Sequence, residues 1–325
     1  MNHIPTQRNH YNPCFWTALW NARYFEDWVH GTKSKGKPRA QEVYSLNLRA
    51  DKVMPTKVER VHFDKNLGTA EITVESMLDF AKRRHPDQYQ GLKEYVDIHP
   101  ESLFMDFEDT LQGVEKTAAY EALMTAARTS NLNSVEHKAY VTIFILFHAM
   151  RSHEFMSAMI DTPPDIPNVD KWEYFWMLRN HWSNPRELDR ATLPLSRGQW
   201  ILYRTNQHHF PLCDSPVMVN PDSIMTVLSP RLLLEISLSA VRPEDRWLVR
   251  DGISASKYRE FRRRAIANTY KELIFHDCKT LNDWRTIPEY RRRVQVLDDP
   301  RRSREAIIEG ARRVLWLVTG MGRSA

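Results

Sequence analysis

The chain has 325 residues, of which 42% are hydrophobic and 11% aromatic, enough for a packed core and against general disorder. Only 10 residues are glycine and three widely spaced ones are cysteine, which argues against a glycine-rich phosphate fold, a disulfide framework and a thiolate zinc site. The net charge of +5 is uneven, because residues 251–325 carry 17 Lys and Arg against 10 Asp and Glu, a net of +7.

The N-terminal part mixes a short helix with strands. Apolar residues at helical spacing between Phe15 and Trp20 predict a short buried helix after Pro13. Residues 42–48 and 58–63 alternate with the two-residue period of a strand. A small antiparallel sheet is therefore predicted here, although the pattern does not assign the strand partners.

The middle of the chain carries helical periodicity. Apolar residues surround the helix axis between 134 and 160, which predicts a buried central helix. The longest apolar stretch, 139–150, is shorter than the roughly 20 residues that a membrane span needs. The predicted helices of this part cover residues 74–85, 103–128, 134–160 and 170–182.

Strand patterns return after residue 198, and the C-terminal part is helical and basic. Asp299-Pro300 is a typical helix start, a capping acid followed by proline at the first helical position. The predicted strands cover residues 199–205, 209–213, 217–219, 223–228 and 232–238, and the predicted helices cover 255–276, 280–296 and 301–319.

These elements predict an α+β fold, mainly α-helical with small antiparallel β-sheet elements. No linker is long enough to separate domains, so one compact domain is predicted over residues 1–325. Its β-rich parts lie near 42–63 and 199–238, and its basic helical part is 251–325. The first twenty residues lack the apolar region of a secretory signal, and the odd cysteines fit free thiols. A cytoplasmic location without a membrane partner is expected.

Several short motifs follow one another along residues 8–276. They are Asn9-His10-Tyr11-Asn12-Pro13, a helix with Glu108 and Glu115, an apolar helix ending in Arg151, Cys213-Asp214-Ser215-Pro216, Leu228-Ser229-Pro230, and a late helix with Asn268 and Tyr270. In this order they resemble the bacterial family called domain of unknown function 4238. The resemblance implies a shared fold and does not specify a reaction.

The candidate catalytic residues are His10, Tyr11, Arg151 and Asp214. His10 and Tyr11 precede a proline that fixes the chain, and they serve either as a site (histidine as general base or metal ligand) or as buried anchors. Arg151 ends an apolar helix, so it either clamps a carboxylate or binds an anionic substrate. Asp214 lies in a turn between strands, where it either takes part in catalysis or metal binding, or closes the turn.

The candidate substrate-binding residues are Arg262, Arg263, Arg264 and Asn268. Arginine offers a fork of donors suited to phosphate, so this basic part is expected to bind nucleic acid, unless it is only a solvated helical face. Glu108 and Glu115 lie two helical turns apart and are more typical of a solvated face than of a metal site. No metal ligand is predicted, and the cofactor is unknown.

The leading hypothesis is a nucleic-acid-acting hydrolase or phage-defence effector. In it His10 is the general base or a ligand, Arg151 holds phosphate, and Asp214 orients His10 or binds a metal. The alternative is a non-catalytic binding or scaffold protein, in which the same residues form a structural buried network. The sequence leaves open whether the chain is an enzyme, its substrate and its oligomeric state.

Overall fold

The structure is a computed structural model that describes residues 9–10, 12–32, 36–64, 69–98, 103–106, 118–129, 135–161, 185–206, 208–238 and 248–319. Helices dominate these residues, and the strands form two larger sheets and two short pairs. The predicted α+β fold, mainly α-helical with small β-sheets, is confirmed.

The helices of the described residues are α1 (Cys14–Thr17), α2 (Ala22–Val29), α3 (Val74–Arg84), α4 (Pro86–Ile98), α5 (Ala118–Thr129), α6 (Val135–Met150), α7 (His153–Asp161), α8 (Pro185–Arg197), α9 (Ala255–Ala267), α10 (Cys278–Arg285), α11 (Pro288–Asp298) and α12 (Pro300–Thr319). The start of α12 is as predicted: Oδ1 of Asp299 accepts hydrogen bonds from the backbone N–H groups of Arg301 (3.0 Å) and Arg302 (3.2 Å). None of the described helices is both long and apolar enough to cross a membrane.

The strands of the described residues are β1 (Asn9–His10), β2 (Glu42–Asn47), β3 (Lys52–Lys57), β4 (Phe63–Asp64), β5 (Thr69–Ile72), β6 (Leu103–Asp106), β7 (Gln199–Arg204), β8 (Leu212–Cys213), β9 (Val217–Val219), β10 (Ser223–Ser229), β11 (Leu232–Ser237), β12 (Leu248–Asp251) and β13 (Glu272–Phe275). One sheet has the order β12-β7-β11-β10-β9, and only its β12–β7 pair is parallel. The other has the order β3-β2-β13-β8 and is antiparallel.

The two larger sheets are joined by a very short connection. β8 belongs to the four-stranded sheet and β9 to the five-stranded sheet, and only residues 214–216 separate them. The apolar core extends from the sheets to the helices, and it encloses the side chains of Trp16 and Trp20. Both indole N–H groups are satisfied, because Trp16 donates to the carbonyl of Leu228 (3.0 Å) and Trp20 to that of Phe210 (2.8 Å).

Two predicted elements are wrong where strands are short or buried on both sides. Residues 103–106, predicted as the start of a helix, form strand β6 paired with β5. Residues 272–275, predicted as a helix end, form strand β13 at the centre of the four-stranded sheet. All four residues of β13 are buried, so it lacks the alternation by which a strand is recognised.

The strand predicted at 58–63 is wrong, because β3 ends at Lys57, residues 58–60 form a 3-10 turn, and only Phe63 belongs to a strand, β4. Two further predictions have the right type but wrong bounds. The helix predicted over 134–160 breaks after Met150, where the N–H of Ser152 bonds to the carbonyl three residues earlier and tightens the last turn. The helix predicted over 280–296 is two helices, since α11 begins anew at Pro288. The predicted helix 170–182 lies outside the described residues.

Gly310 lets α12 approach α7 closely, which predicts an unusual cost for the smallest substitution. A Cβ at this position would overlap the hydroxyl of Tyr270 and lie 2.8 Å from Cγ of Glu154. We expect Gly310→Ala to lower the free energy of unfolding by about 1–3 kcal/mol through overpacking. Urea unfolding of the variant and the wild-type protein measures this change.

Gly91→Ala is the matched control, because Gly91 is also helical and a Cβ there would contact nothing within 4 Å. We expect the free energy of unfolding of this variant to be about 0.5–1 kcal/mol higher than that of the wild-type protein, because alanine has a higher helix propensity than glycine. Equal effects of the two substitutions would show that α12 and α7 do not pack closely at Gly310.

Candidate functional site

The structure brings together the segments that carry the predicted catalytic residues. Nδ2 of Asn12, in the N-terminal motif, donates to the carbonyl of Cys213 (3.0 Å), next to Asp214. The ring of Trp16 lies 4.6 Å from that of His148, which is one helical turn before Arg151. These two contacts place the N-terminal motif next to both the strand turn and the apolar helix.

The carboxylate of Asp214 faces backbone amides. Its side chain is fully buried. Oδ1 accepts a hydrogen bond from the N–H of Tyr270 (3.0 Å), and Oδ2 accepts from those of Lys271 (2.6 Å) and Glu272 (3.1 Å). Burial raises the pKa of this carboxyl, while His153 and the three amides lower it. Asp214 therefore orders the chain that leads from α9 into β13.

Glu154 is a second buried carboxyl in the same cluster, and it was not among the predicted site residues. The hydroxyl of Ser215 donates to its Oε2. Burial raises the pKa of Glu154 to about 7, the hydrogen bond from Ser215 opposes this, and the nearby Asp214 adds to it. Its position next to an apolar helix, three residues after Arg151, is the sequence signal that indicates a buried acid.

Glu272 is a third buried acid, close in the fold to Asp214. Its Oε1 accepts from the backbone N–H of His62 (2.5 Å), and its Oε2 accepts from the hydroxyl of Ser45 (2.7 Å). Nδ2 of Asn12 donates to Nδ1 of His62 (2.7 Å), and Nε2 of that ring lies 3.3 Å from the carbonyl oxygen of Glu272. His62 has a left-handed backbone (φ 51°), which is costly for a residue other than glycine and is held here by the carboxylate.

The other predicted catalytic residues are Arg151, His10 and Tyr11. Arg151 is buried at the end of α6, and its charge is one cause of the lowered pKa of His148, after burial. His10 pairs with Phe63 in the β1–β4 ladder, so its backbone position is known. Tyr11 lies outside the described residues, as do the paired glutamates at 108 and 115. The catalytic assignment of these residues stays a prediction.

A cavity of about 470 Å³ lies among α9, α11 and α12. It is lined by Arg263, Arg264, Arg292, Arg293, Arg313, Glu260, Glu289, Asn220, Asn268, Ile266, Ala267 and Val296. Five arginines and two glutamates give these lining residues a net charge of +3. Such a concave basic surface is suited to an anionic ligand. We call it the arginine cavity.

The arginine cavity receives the same sequence pattern from two helices. Glu260-Phe261-Arg262-Arg263-Arg264 in α9 matches Glu289-Tyr290-Arg291-Arg292-Arg293 in α11. In each helix the glutamate and the second and third arginines are spaced i, i+3 and i+4, so they share one face, and that face lines the cavity. The aromatic residue of each pattern is buried, and the first arginine does not line the cavity.

Three of the four predicted substrate-binding residues therefore line one cavity. Arg263 is exposed at its surface, and Arg264 is tied by hydrogen bonds to Glu260 (2.5 Å) and to the hydroxyl of Ser223 (2.9 Å). The amide nitrogen of Asn268 donates to the carbonyl of Arg264 (2.8 Å) at the end of α9. The fourth, Arg262, is not a lining residue.

Arg293 is the most buried of the lining arginines and was not predicted as a site residue. Its Nε donates to the carbonyl of Thr269 (2.8 Å), and its guanidinium carbon lies 4.5 Å from the centre of the Tyr270 ring. Within the described part of the chain, its Nη2 has no hydrogen-bond acceptor. The repeated pattern is the signal that could have revealed Arg292 and Arg293 from sequence.

A second cavity, of about 490 Å³, lies where α11 meets α12. Its charged lining residues are Arg49, Arg304 and Asp298, a net of +1, and Arg49 donates to the hydroxyl of Ser303 (3.3 Å). With fewer charges than the arginine cavity, it is the weaker candidate for an anion. Asp214, Glu154, Glu272 and Arg151 line neither cavity.

No family model, curated protein or solved structure matches the chain. The function is therefore inferred from the geometry of its own residues.

The buried acids predict an unusual dependence of stability on pH. The pKa of Glu154 is raised from 4.5 to about 7 in the folded state, so the folded protein binds this proton more tightly than the unfolded chain does. Its contribution to stability is present below about pH 4.5 and is lost as the pH rises through about 7, amounting to about 3 kcal/mol. Urea unfolding at about pH 5 and about pH 7.5 measures the loss.

Glu154→Gln removes the titrating group and should flatten this pH dependence. Glu305→Gln, a change of an exposed carboxylate that is paired with Arg301, should leave it as in the wild-type protein. If Glu154→Gln shows the full wild-type pH dependence, Glu154 is not the group responsible.

Proposed function

We propose that this protein binds nucleic acid through the phosphate-binding groups of the arginine cavity. One observation carries the proposal: two helices present a matching pair of arginines to the same cavity, and α12 adds a fifth arginine. A single guanidinium group recognises a phosphate through two parallel hydrogen bonds. The excess positive charge of residues 251–325 extends the attraction beyond the cavity.

The proposal extends to hydrolysis of the bound nucleic acid, as in a phage-defence effector. It assigns catalysis to His10, Tyr11, Arg151 and Asp214. The convergence of their chain segments supports it, while the burial of Asp214 and Arg151 argues against direct contact with a substrate. The resemblance to domain of unknown function 4238 adds no reaction.

A second candidate function is a non-catalytic scaffold. The specific observation in its favour is that both carboxylate oxygens of Asp214 are occupied by backbone amides. In this interpretation the buried polar residues hold the helices and sheets together, and the arginine cavity binds nucleic acid without cleaving it.

Substitutions in the arginine cavity should weaken nucleic-acid binding and its dependence on salt. We expect Arg263→Ala and Arg292→Ala each to lower the affinity for a mixed-sequence oligonucleotide about ten-fold, since each removes charged hydrogen bonds. The slope of log affinity against log salt should fall by about one for each phosphate that the variant no longer neutralises. Fluorescence anisotropy between about 50 and 200 mM salt gives both quantities.

The matched controls are Arg262→Ala and Arg291→Ala, the first arginines of the two patterns. They remove the same charge from the same helices but lie outside the cavity lining. If the controls weaken binding as much as the cavity variants, the charge of the helices matters and the cavity does not. An affinity that does not change with salt would remove the nucleic-acid proposal altogether.

Asp214→Asn separates the catalytic role from the structural one. As a scaffold residue, Asp214 loses an acceptor for two buried amides, so the free energy of unfolding should fall by about 3 kcal/mol. As a catalytic residue, it should yield a stable protein that binds nucleic acid and no longer cleaves it. Asp222→Asn, in an exposed turn, is the control and should change neither stability nor activity.

A further inference from the structure

The arginine cavity differs from the grooves that follow a nucleic-acid backbone. A continuous strand is normally held along an extended basic surface. Here the arginines converge on one concave space from three helices, with Arg263 and Arg292 exposed and Arg293 only 9% exposed. This gradient from exposed to buried arginine is suited to a charged group that enters the cavity end-on.

From this geometry we propose that the arginine cavity binds the terminal phosphomonoester of a nucleic-acid strand, an inference that rests on the nucleic-acid binding proposed above. A phosphomonoester carries close to two negative charges and three acceptor oxygens. A phosphodiester within a strand carries one charge and two free oxygens. The terminal group therefore matches the convergent arginines better.

The guanidinium group of Arg293 is the part of the cavity that favours a terminal phosphomonoester. Its Nε is fixed by the carbonyl of Thr269 and its plane is supported by the ring of Tyr270, so the guanidinium is held in place before a ligand arrives. Its Nη2 is buried and donates to no acceptor in the described part of the chain, and a buried donor without an acceptor is costly. Because Arg293 also lines the cavity, a small rearrangement of the lining around a bound phosphate would give this donor an acceptor and remove that cost.

The two glutamates of the repeated pattern explain why a strand end is favoured over a strand interior. Glu260 is already paired with Lys257 (2.8 Å) and Arg264 (2.5 Å). Glu289 has no ion-pair partner in the ranges that the structure describes. Glu289 also lines the cavity, and a strand interior would bring several phosphates near this carboxylate where a strand end brings one, so that repulsion between like charges is greater for the interior.

The apolar part of the cavity lining fits the remainder of a terminal nucleotide. Ile266, Ala267 and Val296 line the cavity beside the arginines. Sugar and base carry apolar surface that such side chains cover, and a volume of about 470 Å³ lies in the range of small-ligand sites. A phosphomonoester attached to such a sugar and base occurs on strand ends and on free mononucleotides, so an experiment has to separate the two.

The test compares one short single-stranded oligonucleotide in three forms: with a 5′-phosphate, with a 3′-phosphate and with hydroxyl groups at both ends. Anisotropy competition against the full-length protein gives the three affinities, and a nucleoside monophosphate and inorganic phosphate serve as further competitors. We expect at least one phosphorylated form to bind about ten-fold more tightly than the hydroxyl form. Inorganic phosphate should compete far more weakly than the phosphorylated strand.

Variants assign this preference to the cavity. Arg293→Lys keeps the charge but loses the fork, and should reduce the ten-fold preference to about two-fold. Arg291→Lys, the same change outside the cavity lining, should retain the preference. If Arg293→Lys does not fold, Arg292→Ala at the exposed part of the cavity should reduce the preference in its place. Glu289→Gln should improve binding of the hydroxyl form more than that of the phosphorylated forms.

The possible failures are distinguishable. Equal binding of all three forms by the wild-type protein overturns end recognition and leaves nucleic-acid binding in place. Binding of the mononucleotide without binding of any oligonucleotide supports the phosphomonoester site and overturns the proposed function. A preference that survives in both Arg293→Lys and Arg292→Ala overturns the assignment to this cavity.

Discussion

One buried carboxylate determines how the rest of this molecule is arranged. Asp214 accepts hydrogen bonds from three successive amides, those of residues 270–272, and this fixes the chain as it enters β13, one of the two central strands of the four-stranded sheet. The adjacent carbonyl of Thr269 holds Arg293, and the ring of Tyr270 supports the same guanidinium. The buried acid and the most buried arginine of the cavity are therefore connected through two or three residues of backbone.

The polar residues on the two sides of this connection differ in their surroundings and in their roles. The acids of the core, Asp214, Glu154 and Glu272, all have a raised pKa because burial disfavours their charged forms. Each accepts hydrogen bonds from neighbouring parts of the chain, which is the role of polar groups that order a fold. Arg263 and Arg292 are exposed on helix surfaces, where their charge is available to the ligand proposed above. In that proposal, structure and binding are carried largely by different side chains, although one backbone segment serves both.

Sequence predicted those elements whose ends carry local signals, including strand β10, which is buried throughout but lies between Pro221 and Pro230. Helix α12 was predicted because Asp299 and Pro300 mark its start, whereas β13 was predicted as helix because burial on both faces leaves no period to detect. The same limit applies to the sites. The charge of Arg263 and Arg264 is visible locally, but their convergence with Arg292 and Arg293 depends on how α9 packs against α11, which a local pattern does not contain.

The pairing of β2 with β13 has a consequence for how the chain reaches its folded state. Residues 42–47 form a ladder with residues 272–275, so more than two hundred residues separate the two central strands of one sheet. Until the later strand has been synthesised, one edge of β2 lacks its native partner, and exposed edges of this kind favour pairing with other chains. Contacts this distant in sequence also slow folding, because a large loop must close before they form. The hairpin of β2 and β3 therefore gains this neighbouring strand only after more than two hundred further residues have been synthesised.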